Sequence, residues 1–261
     1  MIIDCHTHLG RNEHISARVD ELLKSMDEAA VDKALVFAGD LNNLTTAEML
    51  EEIKLHRDRL YGVAAWDFDY RYKHRDADMF EQENNLLRLY ESKDIVAVKF
   101  YTGYYHKMPS EMELLWRLNE VGCPAIFHCG DCLNSVKCAK LKYAHPLNID
   151  DVAVDYPNMN FIIAHMGYPW HRDAAEVCYK NANVYADVSG FVYGKFTPDD
   201  FTKFRKVINE FKDIAPMDKL LFGTDWPISD QSSYVSIMTT DFGDPWEAEL
   251  LSENVVKAFK L

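Results

Sequence analysis

Long apolar runs are missing from this sequence. No stretch approaches the ~20 consecutive apolar residues of a membrane span, so no transmembrane helix is expected. The N-terminus lacks a basic segment followed by an apolar core, which argues against a secretory signal and for a cytoplasmic protein. Positive charge is also short: the formal net charge is -14. Nucleic acids and anionic membranes select basic surfaces, so neither is an expected partner. No Pro/Gly/Ser-rich linker or low-complexity block divides the chain, and residues 1–261 read as one domain. There are six scattered cysteines, and without a secretory signal free thiols are the expectation. Cys129 and Cys132 have the CxxC spacing, but a zinc ribbon would need a second such pair and none exists. Small buried side chains are the simpler reading of these two, with a dithiol redox site as its rival.

What is present has a rhythm. Short β-rich apolar runs recur at "MIIDC", "KALVFAG", "LYGVAAW", "IVAVKFY", "PAIFHC", "NFIIAHM", "NVYADVSG" and "KLLFGTDW", eight in all. Continuous apolar runs of this length suit strands buried on both faces. Helical spacing lies between them, as in "RVDELLKSMDEA", where Val19, Leu22, Leu23 and Met26 form one stripe. Capping signals open several of these segments: Thr45 with Glu48, Ser110 with Glu113, Thr197-Pro198, and Asp244 with Pro245 and Glu247. The charged stretch from Asp69 to Asn85 reads as a solvated loop entering a helix, and Leu250, Leu251, Val255, Val256 and Phe259 mark a final helix. Strands alternating with helices pair in parallel through crossovers. An open doubly wound sheet and a closed (β/α)8 TIM barrel both fit. The count of eight favours the barrel, as does a length near the about 250 residues such a barrel needs. In addition, "CHTHLG" stands where an open sheet would carry a glycine-rich phosphate turn.

Barrel chemistry sits at the C-terminal ends of the strands. His6 and His8 end the first run, Lys99 the fourth, His128 the fifth, His165 the sixth and Asp225 the eighth. A buried histidine on its own is usually a hydrogen-bonded core residue. Four histidines and an aspartate on one rim are a different matter, because each is costly to bury without a partner. Alternate strand residues point the same way, so His6 and His8 are expected to share a face. Two imidazoles with further N/O donors suit one divalent ion, Zn²⁺ first, with Mn²⁺, Fe²⁺ or Co²⁺ also accepted. A catalytic ion of this kind keeps a position open for water and brings that water's pKa to about 7.

Taken together, "DCHTHLG", "IFHCG", "FIIAHMGYPW", "NVYADVSG" and "LLFGTDWP" resemble the amidohydrolase superfamily. The likeness is to the amidohydrolase-related branch that holds lactonases and aminocarboxymuconate-semialdehyde decarboxylase-like enzymes, and it covers nearly the whole chain. The resemblance implies that His6, His8, His128 and Asp225 bind the metal. It implies that His165 polarises the substrate, and that Asp225 also moves protons. In binuclear members of the superfamily a carboxylated lysine on the fourth strand bridges two metals. Lys99 lies on that strand, so a second metal, contact with a substrate carboxylate, and a structural ion pair are all open for it. Barrels of this branch are often dimers, so the resemblance allows a homodimer.

Trp66, Tyr101, Trp170 and Trp226 follow or end strands; Tyr101 and Trp170 are candidates, with Lys99, for contact with a small-molecule substrate. His145 and Arg172 are further candidates for an acidic substrate, while His14, His56, His74, His106 and His171 read as surface histidines. Four functions compete. The first is metal-dependent hydrolysis of a lactone, amide or ester. The second is non-oxidative decarboxylation of a small carboxylic acid at the same site. The others are a non-catalytic metal-dependent binding protein and a thiol redox protein.

Overall fold

The computed structural model describes residues 1–11, 16–39, 43–69, 79–132, 138–242 and 247–261. Its eight parallel strands are β1 (Ile3–His8), β2 (Lys33–Phe37), β3 (Leu60–Ala65), β4 (Ile95–Phe100), β5 (Ala125–Phe127), β6 (Phe161–Ile163), β7 (Val184–Asp187) and β8 (Leu220–Leu221). They pair in chain order, and helices alternate with them: a single-domain (β/α)8 barrel. The principal helices are α1 (Val19–Ala29), α2 (Thr46–Ile53), α3 (Met79–Glu91), α4 (Leu114–Val121), α5 (Asn148–Asp155), α6 (His171–Lys180), α7 (Pro198–Lys212), α8 (Gln231–Phe242) and α9 (Asn254–Phe259). Among the described residues, no helix is long and apolar enough to cross a membrane.

The expected caps fall into three groups. At α2 the Glu48 N–H donates to Thr45 Oγ1 at 3.2 Å, and the Thr45 N–H donates back to Glu48 Oε2 at 2.8 Å. Thr197 and Asp200 repeat the arrangement at α7, with Pro198 in the first turn. Ser110 does not cap a helix with Glu113. Pro109 opens a single 3₁₀ turn there, the Met108 N–H donates to Glu111 Oε2, and α4 begins only at Leu114. Asp244 and Pro245 lie outside the described residues, as does most of the charged stretch after Asp69.

Strand alternation sorts the core into two layers. Ala34 and Val36 of β2, Val98 and Phe100 of β4, and Phe161 and Ile163 of β6 face outward against the helices. Ile3, Cys5, Leu35, Val63, Ala97, Ile126, Ile162, Tyr185 and Leu221 fill the barrel, and Val255, Ala258 and Phe259 of α9 pack against this cluster. On four strands the next inward position is Phe37, Lys99, His128 or Asp187. On these four strands the functional layer is therefore the barrel's own packing continued two residues further.

On β1 this parity has to change, because Cys5 and His6 are adjacent and both belong inside. The pairing register with β2 shifts between Asp4 and Thr7, a bulge that re-aims the strand below the site. It leaves Asp4 buried outside the barrel interior, where it fastens the first strand to the last. Asp4 Oδ1 accepts from the His6 and Thr224 N–H groups at 3.1 and 3.0 Å. Its Oδ2 accepts from Thr224 Oγ1 at 2.6 Å and Gln231 Nε2 at 2.8 Å. Burial pushes the Asp4 carboxyl up to about 6, and these donors oppose the shift. Backbone bonds complete the closure: Cys5 N–H to Phe222 O at 3.0 Å, Asp225 N–H to His6 O at 2.8 Å, and His8 N–H to Trp226 O at 2.7 Å.

Asp4→Ala would strand these buried donors, and we expect it to cost about 3 kcal/mol or more. Asp4→Asn should cost less, because the Gln231 amide can turn its otherwise unbonded Oε1 toward the new donor. Denaturant unfolding of both variants checks the order; equal losses would contradict it.

Candidate metal centre

The barrel layer converges at one mouth. His6 is buried and stacks on Phe37, with ring centroids 4.3 Å apart. The His8 ring is 5.2 Å from that of His6, His165 is 4.8 Å from His6, and His128 is 5.0 Å from His165. Asp225 reaches in from the turn after β8. Its Oδ1 lies 3.0 Å from His8 Nε2 and 3.7 Å from His6 Nε2. Ligating atoms of His6, His8 and Asp225 all lie within 4.8 Å of one another, and the same holds for His6, His165 and Asp187.

The donor set fits a divalent ion. His6 Nε2 is buried, has no hydrogen-bond partner, and points to the same carboxylate as His8. His6 is driven down to about 3, by burial first and by the charge of Lys99 second, so its ring is neutral, as a ligand must be. Burial works against ionisation of Asp225, but its contacts with His8, His165 and His6 prevail and hold it well below the ordinary carboxylate range. His128 is also pushed well down by burial. Its Nε2 lies 2.8 Å from the Asp131 carbonyl, which can only accept. That nitrogen therefore carries the proton, and Nδ1 keeps the lone pair. His128 shares the mouth but falls outside the two close ligand groups.

Lys99 is fully buried over the rings of Phe37 and Tyr101, at 5.1 and 5.3 Å. Its Nζ has no hydrogen-bond partner. Burial lowers its pKa to about 8, against the pull of Asp187 and Asp225, so it remains a cation at neutral pH. Tyr101 packs beside His128, with centroids 6.1 Å apart. Trp170 stands apart from this group and packs on His145 at 4.8 Å. His145 is engaged by Asp173 at 3.4 Å. His171 is no free surface histidine: its Nε2 meets Glu210 Oε2 at 2.7 Å. All six cysteines are free thiols; burial lifts Cys129 to about 12 and Cys132 to about 11, the reverse of a reactive pair.

Sequence reasoning passed over Asp187 and Ser189, although both stand in "NVYADVSG". Asp187 Oδ2 lies 3.0 Å from His6 Nδ1, and its Oδ1 accepts from the His165 N–H at 3.0 Å and the Ser189 N–H at 3.1 Å. The usable signal was position: Asp187 follows the inward Tyr185 by two residues. Two site residues also hold left-handed backbone, His165 at φ 59° and Asp225 at φ 70°. Such conformations cost of order 1 kcal/mol for a side-chain-bearing residue and cluster where surrounding contacts over-determine them. Gly190, at φ +69°, fits behind both: a Cβ there would lie 2.7 Å from His165 Nδ1 and 3.1 Å from Asp225 Oδ2.

Comparison with known proteins identifies the family and the fold. Residues 3–259 match the amidohydrolase family, and the chain belongs to it. Protein fluG of Emericella nidulans is 28% identical over 102 residues, which is 39% of this chain and 11% of that much longer protein. Among solved structures, a probable 2-pyrone-4,6-dicarboxylic acid hydrolase from Acinetobacter baumannii with bound citric acid aligns with a TM-score of 0.70 at 18% identity. It covers 100% of this chain and 99% of its own. A zinc-bound amidohydrolase from Burkholderia multivorans gives 0.73 at 13% identity, covering 100% and 99%. A dihydroxybenzoic acid decarboxylase from Polaromonas sp. JS666, with manganese and 2-nitroresorcinol bound, gives 0.68 at 15%, covering 100% and 97%. At these identities the structural likeness speaks for the shared fold.

Gly190→Ala should cost about 2–4 kcal/mol, from left-handed backbone and from overpacking against His165 and Asp225. Denaturant unfolding tests this, and a variant as stable as the parent would show that the contact is loose.

Proposed function

We propose that this member of the amidohydrolase family is a metal-dependent hydrolase that cleaves a lactone, amide or ester bond in a small molecule. One observation carries the reading: His6, His8 and Asp225 bring three ligating atoms together in a barrel mouth, with His6 Nε2 otherwise unpartnered. His6, His8, His128 and Asp225 would hold one ion, with zinc the first expectation and manganese, iron or cobalt also suited to the donors. When bound, the ion supplies Lewis acidity, polarising a carbonyl oxygen and acidifying a water.

The chain's own groups do the rest. Asp225, ionised at neutral pH, takes the proton of the attacking water at a carboxylate oxygen and returns it to the leaving group. His165 stands beside it with Nδ1 turned to Ser189, so the Nε2 lone pair on the other side of its ring accepts a hydrogen bond from the attacking water and orients it for Asp225. Lys99 offers a buried positive charge for a substrate carboxylate, with Tyr101 beside it; Trp170, packed on His145, is the more distant candidate for substrate contact. A bridging role for Lys99 with a second ion is the lesser reading.

The second reading is non-oxidative decarboxylation of a small carboxylic acid. The unpaired Lys99 ammonium favours it, since that group would hold a carboxylate in the same mouth, and structures sharing this fold include decarboxylases. Carbon dioxide release without water consumption separates the two reactions.

Protein purified without tag or chelator should hold about one divalent ion per chain by elemental mass spectrometry. A protein that holds none after reconstitution would sink the reading; two ions, falling to one in Lys99→Met, would place Lys99 as a bridge. On a substrate found by screening lactones, amides and esters, Asp225→Asn should lower kcat by about 10²–10⁴-fold, judged at matched metal content. Lys99→Met should raise KM about 10–100-fold for a carboxylate-bearing substrate and leave its neutral ester analogue unaffected.

A further inference from the structure

We propose that Asp187 and Ser189 form a positioning pair that holds both His6 and His165 as the Nδ1–H tautomer. Each ring then presents the lone pair of its Nε2 on the side away from β7. The purpose of this device rests on the metal-dependent reading above; the assignment itself rests on hydrogen bonds alone.

The argument is a count of protons. Both residues are buried, so solvent neither donates to them nor accepts from them. The hydroxyl of Ser189 has one proton to give and three neighbours: Asp187 Oδ1 in a very short contact, His165 Nδ1 at 2.9 Å and His6 Nδ1 at 3.1 Å. A carboxylate only accepts. The Ser189 proton therefore goes to Asp187, the shortest contact, and Ser189 Oγ is left as an acceptor for the rings. His165 Nδ1 faces that acceptor and the Ser189 carbonyl at 3.3 Å. With acceptors on both sides, Nδ1 must carry the proton.

His6 is fixed by the same logic. Its Nδ1 lies 3.0 Å from Asp187 Oδ2. The opposite tautomer would set a nitrogen lone pair against a carboxylate lone pair. It would also leave the Nε2–H with only Asp225 Oδ1, 3.7 Å away. Asp187 thus collects four donors: the Nδ1–H of His6, the N–H of His165, and the N–H and O–H of Ser189. The tautomer of a histidine is set by the bond its other nitrogen makes. One carboxylate here sets two of them, one directly and one through a hydroxyl. It also holds the backbone of His165 at the turn where the chain leaves β6.

Long-range ¹H–¹⁵N NMR on the metal-free wild-type protein tests the pair before any variant is made. The expected result is a proton on Nδ1 and none on Nε2 in both rings; an Nε2–H form of either ring overturns the proposal. On adding Zn²⁺, the His6 Nε2 resonance should move. Loss of the Nδ1 proton instead would mean that the ion sits between His6 and Asp187, and would also overturn it. In competition with a chromophoric chelator, Asp187→Asn should weaken Zn²⁺ binding by about 10–100-fold. Ser189→Ala, the milder change, should leave the His165 Nδ1–H with only the Ser189 carbonyl at 3.3 Å and so shift its ¹⁵N resonances, while those of His6 stay in place. Unchanged Zn²⁺ affinity in a folded Asp187→Asn protein, or an unchanged His165 in Ser189→Ala, would refute the pairing. Should the wild type show both Nδ1–H rings and yet bind no metal, the pair stands and the metal-dependent reading falls.

Discussion

The constraint on which the rest depends is the inward parity of the strands. A barrel of this kind must fill its own axis, and apolar residues do so here from Ile3, Leu35, Val63, Ala97, Ile126, Ile162, Tyr185 and Leu221. Two residues later on β4, β5 and β7, the same inward direction delivers Lys99, His128 and Asp187. Polar groups in that layer have a dry floor beneath and aromatic walls beside them. A low local dielectric strengthens each of their contacts and makes each missing contact expensive. Placement of Lys99, His128 and Asp187 is thus inherited from packing, whereas β1 needs its bulge to turn His6 and His8 inward above Cys5, and His165 reaches the mouth through the left-handed turn that follows Ala164.

This is also why the architecture was legible in the sequence while part of the site was not. Eight apolar runs and their alternation with amphipathic segments state a repeating physical pattern, and the structure has one strand for each run. His6, His8, His128, His165 and Asp225 stood out because a polar residue ending an apolar run is costly, and the fold brings them to one mouth. Asp187 ends its run in the same way, yet an aspartate before "VSG" also reads as the start of a turn. Its role appears only when the barrel closes and leaves β8 alone between β7 and β1, a separation of 181 residues in sequence between His6 and Asp187. The Ser110 cap failed for a local reason: a proline immediately before it set a tighter turn. Trp170 ended near a strand in sequence, but the turn that follows β6 carries its ring to His145.

The site also concentrates unfavourable terms that the barrel offsets. His165 and Asp225 adopt backbone conformations that side chains resist, and Lys99 is buried without an acceptor. The two strained residues are over-determined by neighbours. The His165 N–H is tied to Asp187, the Asp225 N–H to the His6 carbonyl, and Gly190 leaves room behind both side chains. The carboxylate of Asp4 holds the seam between the first and last strands, from which His6, His8 and Asp225 all project. Strain at the mouth and satisfied hydrogen bonds at the seam are two sides of one arrangement, since the turn that strains Asp225 is the turn that Thr224 anchors.

Charge balance then bears on what the proposed enzyme accepts. The buried layer carries two carboxylates, Asp187 and Asp225, both held well below their ordinary range, and one ammonium, Lys99, protonated below about 8. With neutral histidines as ligands, the layer alone has an excess of one negative charge. A divalent ion reverses that to an excess of one positive charge. Isolated net charge in a dry site is costly, and a substrate bearing one carboxylate cancels it. A neutral lactone or ester would leave the layer positive and Lys99 unpaired. On the proposed reading, Lys99 is thus the group whose charge a substrate carboxylate would meet.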